Sequence, residues 1–490
     1  MPIPNYQTPG VYVTESTLPN VNAISANALN IAFFAYVPSG NYPTNSYQDV
    51  FQTTTSGIPQ TFTLTQSGAI ASSFVVYNNT TGYQIAVSGS AGAVASGFNV
   101  AYPVTSGNST TFTVSGFAPN TWINAQYNYS TALPGIIYSF ADYNSVQSIF
   151  GPAFSYVNGN PTVTSPNTLA AYLAFQNGAQ VVSCMNIVST NGSTSDFMSA
   201  IYSTQTNQTI DVIVPLKFDN AYSTAGGTNG TLFYGLSNYL NAQANNGIYQ
   251  RAFIGLDGTV ASGTQNLINT CSAITTNLNN TRVSLVAPQL VTYNPGLNSS
   301  TGTTTGVVNI DGLYLTAAVA GLFAGQPNVA TPITNKSVNG FVGIPNQIST
   351  ANSNTLQSYG TTVVRQDRFG NLTVRQGLTT NVSSWLTQEI SINAIADSLA
   401  HLMTNSLNAS NLIGAPLTSS NVASLKSVVQ STLSTAVRTG LIQTYTNIQY
   451  GQNPQNPTQV NVSFTYSPTI PLNYIDVVMT IDSNTGTISF

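Results

Sequence analysis

Charge is what this 490-residue chain has least of. Asp, Glu, Lys and Arg together make up 4% of it, against about 25% in an ordinary soluble protein. No basic residue precedes Lys217, and the acids before it are scattered: Glu15, Asp49, Asp142, Asp196 and Asp211. With a formal net charge of −4 and no Lys/Arg cluster, the chain has nothing with which to neutralise phosphates, so nucleic acid is excluded as a partner. Its surface must be hydrated through hydroxyls and amides. Salt and pH therefore have few groups to act on, and little net charge holds copies apart. Such a surface suits dense packing with copies of itself.

The groups that catalysis needs are equally scarce. His401 is the only histidine, so any Ser-His-Asp or Cys-His arrangement would have to run through it. It lies four residues after Asp397 in a predicted helix, where an i,i+4 side-chain contact accounts for it. Two cysteines, Cys184 and Cys271, cannot build a disulfide framework, and with one histidine they exclude the common zinc patterns. They read as two buried thiols. No Gly-x-x-x-x-Gly-Lys and no strand-borne Gly-x-Gly-x-x-Gly occurs. Nothing among the 13 acids singles out a carboxylate pair for glycoside hydrolysis. The expectation is a protein that is not an enzyme and carries no cofactor and no metal. The start, Met1-Pro2-Ile3-Pro4-Asn5, lacks a positive segment followed by an apolar core, so no signal peptide is expected. No run of about 18 apolar residues suggests membrane insertion. The Asn-x-Ser/Thr triplets, at Asn108, Asn128 and Asn191 for example, are what chance yields in a chain this rich in Asn, Ser and Thr.

What is present is ample apolar surface. Hydrophobic residues make up 42% of the chain, with 26 Tyr and 21 Phe, enough for two to four domains. Pro9-Gly10 followed by Val11-Tyr12-Val13-Thr14 reads as an extended arm, and Ile31 to Val37 as a strand. From about Asp49 to Ser130 the texture is wholly β, with Thr61–Thr65, Phe74–Tyr77, Thr111–Val114 and Trp122–Tyr127 alternating between turn signals. That predicts a small inserted sandwich or barrel. From about Leu133 to Pro345, buried-strand runs at 181–185, 212–216, 252–256 and 283–287 alternate with helical patterns such as 232–244 and 264–277. They predict an α/β domain with a largely parallel sheet. The clearest helices lie at 387–408 and 420–440, with Gly440 as a C-cap. Strands follow at Val460–Tyr466 and Ile475–Ile481.

Several stretches, in order, resemble the contractile tail sheath family. They are Thr8-Pro9-Gly10-Val11-Tyr12-Val13-Thr14-Glu15, Phe33 to Val37, Ile136 to Tyr143 with Ile149-Phe150-Gly151, and Leu173 to Ala179. Val286-Ala287-Pro288, the small-residue helix Ala317 to Phe323, and Gln366 to Gly370 with Val374-Arg375 complete the series before the helix pair and final hairpin. The resemblance covers most of the chain outside roughly 49–130.

It implies an α+β multidomain fold: an N-terminal arm at 1–20, a middle α/β domain at 21–48 and 131–345, an outer β domain at 49–130, and a sheath core with a C-terminal arm at 346–490. The inner α/β core is then built from both termini, with strand-exchange arms crossing to neighbours through Gly10, Val11, Tyr12, Val13 and Thr14 and through Ile475, Val477, Met479 and Ile481. The family's helical section is rich in Arg and Glu, whereas here Glu389, Asp397, Lys426 and Arg438 remain as candidate tube-facing residues. The implied function is a homo-oligomer of stacked hexameric rings around an inner tail tube protein, meeting baseplate and tail terminator proteins. It would assemble in the host cytoplasm, reside in the virion tail, and contract from a metastable extended state without a nucleotide. An extracellular coat, S-layer or adhesin subunit is the runner-up, favoured by low charge and β content. The absent signal pattern and the α/β section oppose it.

Overall fold

The computed structural model describes residues 28–38, 44–54, 58–66, 69, 73–78, 84–86, 92–93, 99–106, 109–157, 160–205, 209–219, 232–296, 306–384, 388–452, 460–472, 480–481 and 488–489. An eight-stranded sheet forms the body, in the spatial order Ile137–Phe140, Val181–Asn186, Asn30–Ala35, Val212–Pro215, Arg251–Gly255, Val283–Ala287, Thr361–Gln366, Leu372–Val374. The six inner strands run parallel, and an antiparallel strand closes each edge. Parallel strands buried on both faces need continuous apolar runs, as the predicted segments have. Because side chains alternate across a strand, Ile31 and Phe33 enter one core while Ala32 and Phe34 enter the other. The first strand lies between the next two parallel ones, the doubly wound arrangement that reverses strand order at that point.

The small-residue helix belongs to the first of these cores. Gly312–Ala324 is buried at every position and packs on the sheet beside the helix Pro166–Gln176, which covers the same face. The two helices touch backbone to backbone: a Cβ on Gly321 would lie 2.5 Å from the Ala174 carbonyl oxygen. Hydroxyl and carboxylate caps compensate for the scarcity of charge. Asp142, Ser165, Ser193, Ser349 and Thr418 each accept a backbone N–H at a helix start, as good N-caps do.

The insert is a sandwich of two four-stranded antiparallel sheets. Leu64, Phe74, Val76, Phe112, Val114, Ile123 and Tyr127, drawn from both, form a core of their own. Its one acid, Asp49, is buried. There it accepts from the Thr65 amide at 2.8 Å and the Tyr127 hydroxyl at 2.7 Å.

At the C-terminal end the helices Ile390–Ala409 and Ser419–Arg438 pack with the hairpin Ile442–Gln452 and Val460–Pro468. The second helix stops at Thr439, and Gly440 takes φ +72° just beyond it, the left-handed geometry that favours glycine there.

Two predicted boundaries differ from the structure. The strand Thr44–Gln52 pairs along its whole length with Trp122–Ser130, so residues 44–48 belong to the insert and not to the middle domain. The division at 345/346 is crossed by the body sheet, since Thr361 pairs with Leu285. Val363 and Val364 fill opposite cores there. Sheet burial, not sequence position, decides where 361–374 reside. Among the described residues no helix is long and apolar enough to cross a membrane.

Candidate functional site

The parallel strands of the body begin along one rim, and three charged residues lie on it. Asp211 precedes Val212–Pro215, Arg251 opens its strand, and Arg282 precedes Val283–Ala287. Across from them lies the helix Ile390–Ala409. Its Asp397 carboxylate is shared: one oxygen is bonded by Arg251 and the other accepts from Arg282 Nη2 at 2.7 Å. The side chains of Arg251 and Asp397 are 8% and 12% exposed, so burial lowers the basicity of the Arg251 guanidinium and the Asp397 charge opposes that loss. Two cations on one anion leave a positive excess. On the same rim, burial pushes the Asp211 carboxyl up to about 6, against the Asn30 amide bond and His401, which favour the charged form.

These contacts join the C-terminal unit to the body. Asn280, behind the rim, adds a buried polar knot. Its amide donates to Ser237 Oγ at 2.7 Å, and its backbone N–H to Thr380 Oγ1 at 3.0 Å.

The predicted site residues divide three ways. Gly10, Val11, Tyr12, Val13, Thr14, Ile475, Val477 and Met479 lie outside the described residues. Ile481 lies in the short strand Thr480–Ile481, which pairs with Ile488–Ser489 of its own chain. Of the four candidate tube-facing residues, Glu389 and Asp397 are turned inward. Glu389 is 2% exposed and accepts from Gln376 and Ser391, and Asp397 is held as above, so neither carboxylate faces outward. Lys426 and Arg438 are exposed, with the Lys426 ammonium 5.3 Å from the Tyr450 ring centre.

The expected Asp397–His401 contact is replaced by another i,i+4 pair, His401 Nε2 with Asn405 Nδ2 at 2.9 Å. The two arginines hold the carboxylate through charge-assisted hydrogen bonds and leave the imidazole to Asn405. Sequence reading missed Arg251 and Arg282 because their partner lies 146 and 115 positions away. A charged residue opening an otherwise apolar strand was the available signal. Cys184 and Cys271 are free and buried, in the two cores on opposite sides of the sheet. Burial pushes the Cys271 thiol up to about 12 and the Cys184 thiol higher still, so neither is a ready nucleophile. Among the described residues no group of three or more His, Cys, Asp or Glu is placed to hold a metal ion.

The C-terminal hairpin supplies an edge. Tyr445, Ile448, Tyr450, Val462, Phe464 and Tyr466 turn toward the helices. The opposite face carries Gln443, Thr444, Thr446, Gln449, Asn461, Ser463, Thr465 and Ser467, all exposed and uncharged. Among the described residues its strands pair only with one another, leaving outer edges able to accept a further strand.

A doubly wound body without a phosphate loop, a separate β sandwich and a helix pair ending in an open-edged hairpin define a multidomain α/β subunit. Comparison with known proteins narrows that class. The chain is 29% identical over 377 residues to the tail sheath protein of Mycobacterium phage Bxz1, a match covering 76% of this chain and 60% of that protein. The chain thus spans less than two thirds of the relative's length. Its fold is similar to that of the anti-feeding prophage helical sheath in the contracted state (TM-score 0.53, 12% identity, covering 97% of this chain and 100% of the other). It is also similar to the sheath of an extracellular contractile injection system, the PVC sheath complex in the contracted state (TM-score 0.51, 11% identity, 72% and 89% covered). No family model matches the chain. In sequence the chain thus resembles a phage tail sheath protein, and in fold the sheaths of contractile systems.

Proposed function

We propose that the chain is the sheath subunit of a contractile tail, polymerising as hexameric rings stacked around an inner tail tube and contracting from a metastable extended state to drive that tube through the host envelope. The observation that carries this reading is the similarity over 76% of the chain to a phage tail sheath protein. The physical case rests on the C-terminal unit. A two-stranded hairpin is marginal alone, and its open edges are satisfied by strands from neighbouring copies: the arm at Gly10 to Thr14 and the segment containing Ile475, Val477, Met479 and Ile481. Main-chain pairing of this kind links subunits while their bodies rotate. Contraction then needs no nucleotide. Subunits trapped by tube and baseplate bury more mutual surface once released.

The tube-facing part falls to the exposed Lys426 and Arg438 together with neutral contacts. Baseplate and terminator proteins close the two ends, and the assembly is a virion tail component built in the host cytoplasm. The test is deletion of residues 1–16 or of residues 475–481. Either should abolish cylinder formation while leaving a folded, soluble monomer, and normal cylinders from either deletion would refute the arm exchange.

A further inference from the structure

The two strands of the C-terminal hairpin differ in regularity. Ile442–Gln452 has 11 residues and Val460–Pro468 has 9. Ile442 faces Pro468 while Thr444 faces Ser467, and Thr446 faces Thr465 while Gln449 faces Ser463. Each of these slips places one extra residue in the first strand, which is a β-bulge. At the second, Asn447 takes φ +54°, a left-handed conformation that asparagine tolerates. Exposure follows the backbone. It alternates without a break along Val460–Pro468, whereas the first strand exposes two residues in succession at Gln443-Thr444 and again at Thr446-Asn447.

A strand joins an edge through outward N–H and C=O groups that recur at every second residue. A bulge breaks that recurrence, bends the strand and terminates pairing. We infer, resting on the arm exchange proposed above, that the hairpin takes an incoming strand on one edge only: Val460–Pro468 pairs with the Gly10–Thr14 arm of a neighbouring copy, and the bulged edge of Ile442–Gln452 stays solvated. The arm, and not the segment ending at Ile481, is the occupant, because Ile481 already pairs with Ile488 of its own chain. Gly10-Val11-Tyr12-Val13-Thr14 carries no charge, so covering it strands no ion. The chain from Thr14 to Asn30, where the first body strand begins, spans up to about 50 Å when extended, which lets the arm leave its own body. Ile390–Ala409 packs under Val460–Pro468, and its Leu402, Met403 and Leu407 are only half-buried. An added strand extends the sheet over that apolar surface. A single usable edge also keeps hairpins from pairing with one another without limit.

The test is oxidative cross-linking within cylinders assembled from the full chain. One cysteine is introduced in the arm, as Val13→Cys or Thr14→Cys, which samples both faces of a strand. A second is introduced on the hairpin, as Ser463→Cys or Thr465→Cys on one strand, or Thr444→Cys or Thr446→Cys on the other. All four hairpin positions are exposed, so these changes leave the fold intact. Cys184 and Cys271 are buried, and the unsubstituted chain serves as the blank. Intermolecular disulfide ladders are expected from at least one pairing with Ser463→Cys or Thr465→Cys and from none with Thr444→Cys or Thr446→Cys. Ladders from Thr444→Cys or Thr446→Cys overturn the choice of edge and leave the arm exchange standing. Cylinders without a ladder at either strand, or no cylinders at all, overturn both.

Discussion

Asp397 Oδ1 lies 2.7 Å from Arg282 Nη2, across the seam between the C-terminal helix and the rim of the body sheet. Arg251 takes the other oxygen of the same carboxylate. A single acid thus pairs with two arginines in a chain with nine basic side chains of Lys and Arg in all.

Removing that acid should be costly because it strands a guanidinium that is only 8% exposed. Asp397→Ala is expected to destabilise the docking of Ile390–Ala409 by about 3 kcal/mol. Hydrogen exchange will read this as lost amide protection in that helix. Lys426→Ala and Arg438→Ala, at exposed positions, should stay within about 0.5 kcal/mol of the parent. Equal protection in all three variants would mean that the clamp does not hold the joint.

Asp211 gives the rim a pH dependence of definite sign. Its carboxyl is raised from 3.8 to about 6, chiefly by burial. A folded pKa above the unfolded one means that the contribution to stability is complete below about pH 4 and is lost as pH climbs through about 6. Asp211→Asn keeps an acceptor for the Asn30 amide and has no proton to lose. The variant should therefore gain on the parent between pH 4 and pH 7, ending more stable by about 1–3 kcal/mol at neutral pH. Denaturant unfolding at pH 4, 5.5 and 7 checks it, and a gap that stays constant over that range contradicts it.

Gly321 tests the inner packing. Valine there would drive its Cβ into the Ala174 carbonyl, in a contact made of backbone that cannot rotate away. Gly321→Val should cost about 1–3 kcal/mol or more. The loss should register in body-sheet protection before it reaches the insert, whose core is separate.

Much of this fold could be read along the chain because apolar runs and turn signals are local. The strands near 31, 181, 212, 252 and 283 and both long helices fall within a few residues of their predicted bounds. Thr361 and Thr362 were harder. They look like surface residues, yet both are 0% exposed, with Thr362 Oγ1 donating to the Leu378 carbonyl at 3.0 Å. Partners of that kind are set by folding and leave no local pattern. The same limit hid the inward turn of Glu389 and Asp397: in a sequence so poor in charge, each looks like a rare surface ion until its distant partner is in place.

Electron microscopy of the purified full chain, concentrated and warmed without any partner, tests the central claim most directly. The sheath account predicts hollow, striated cylinders with a lumen wide enough for a tube. Flat lattices would contradict it in favour of a coat protein, and a persistent monomer would contradict it outright.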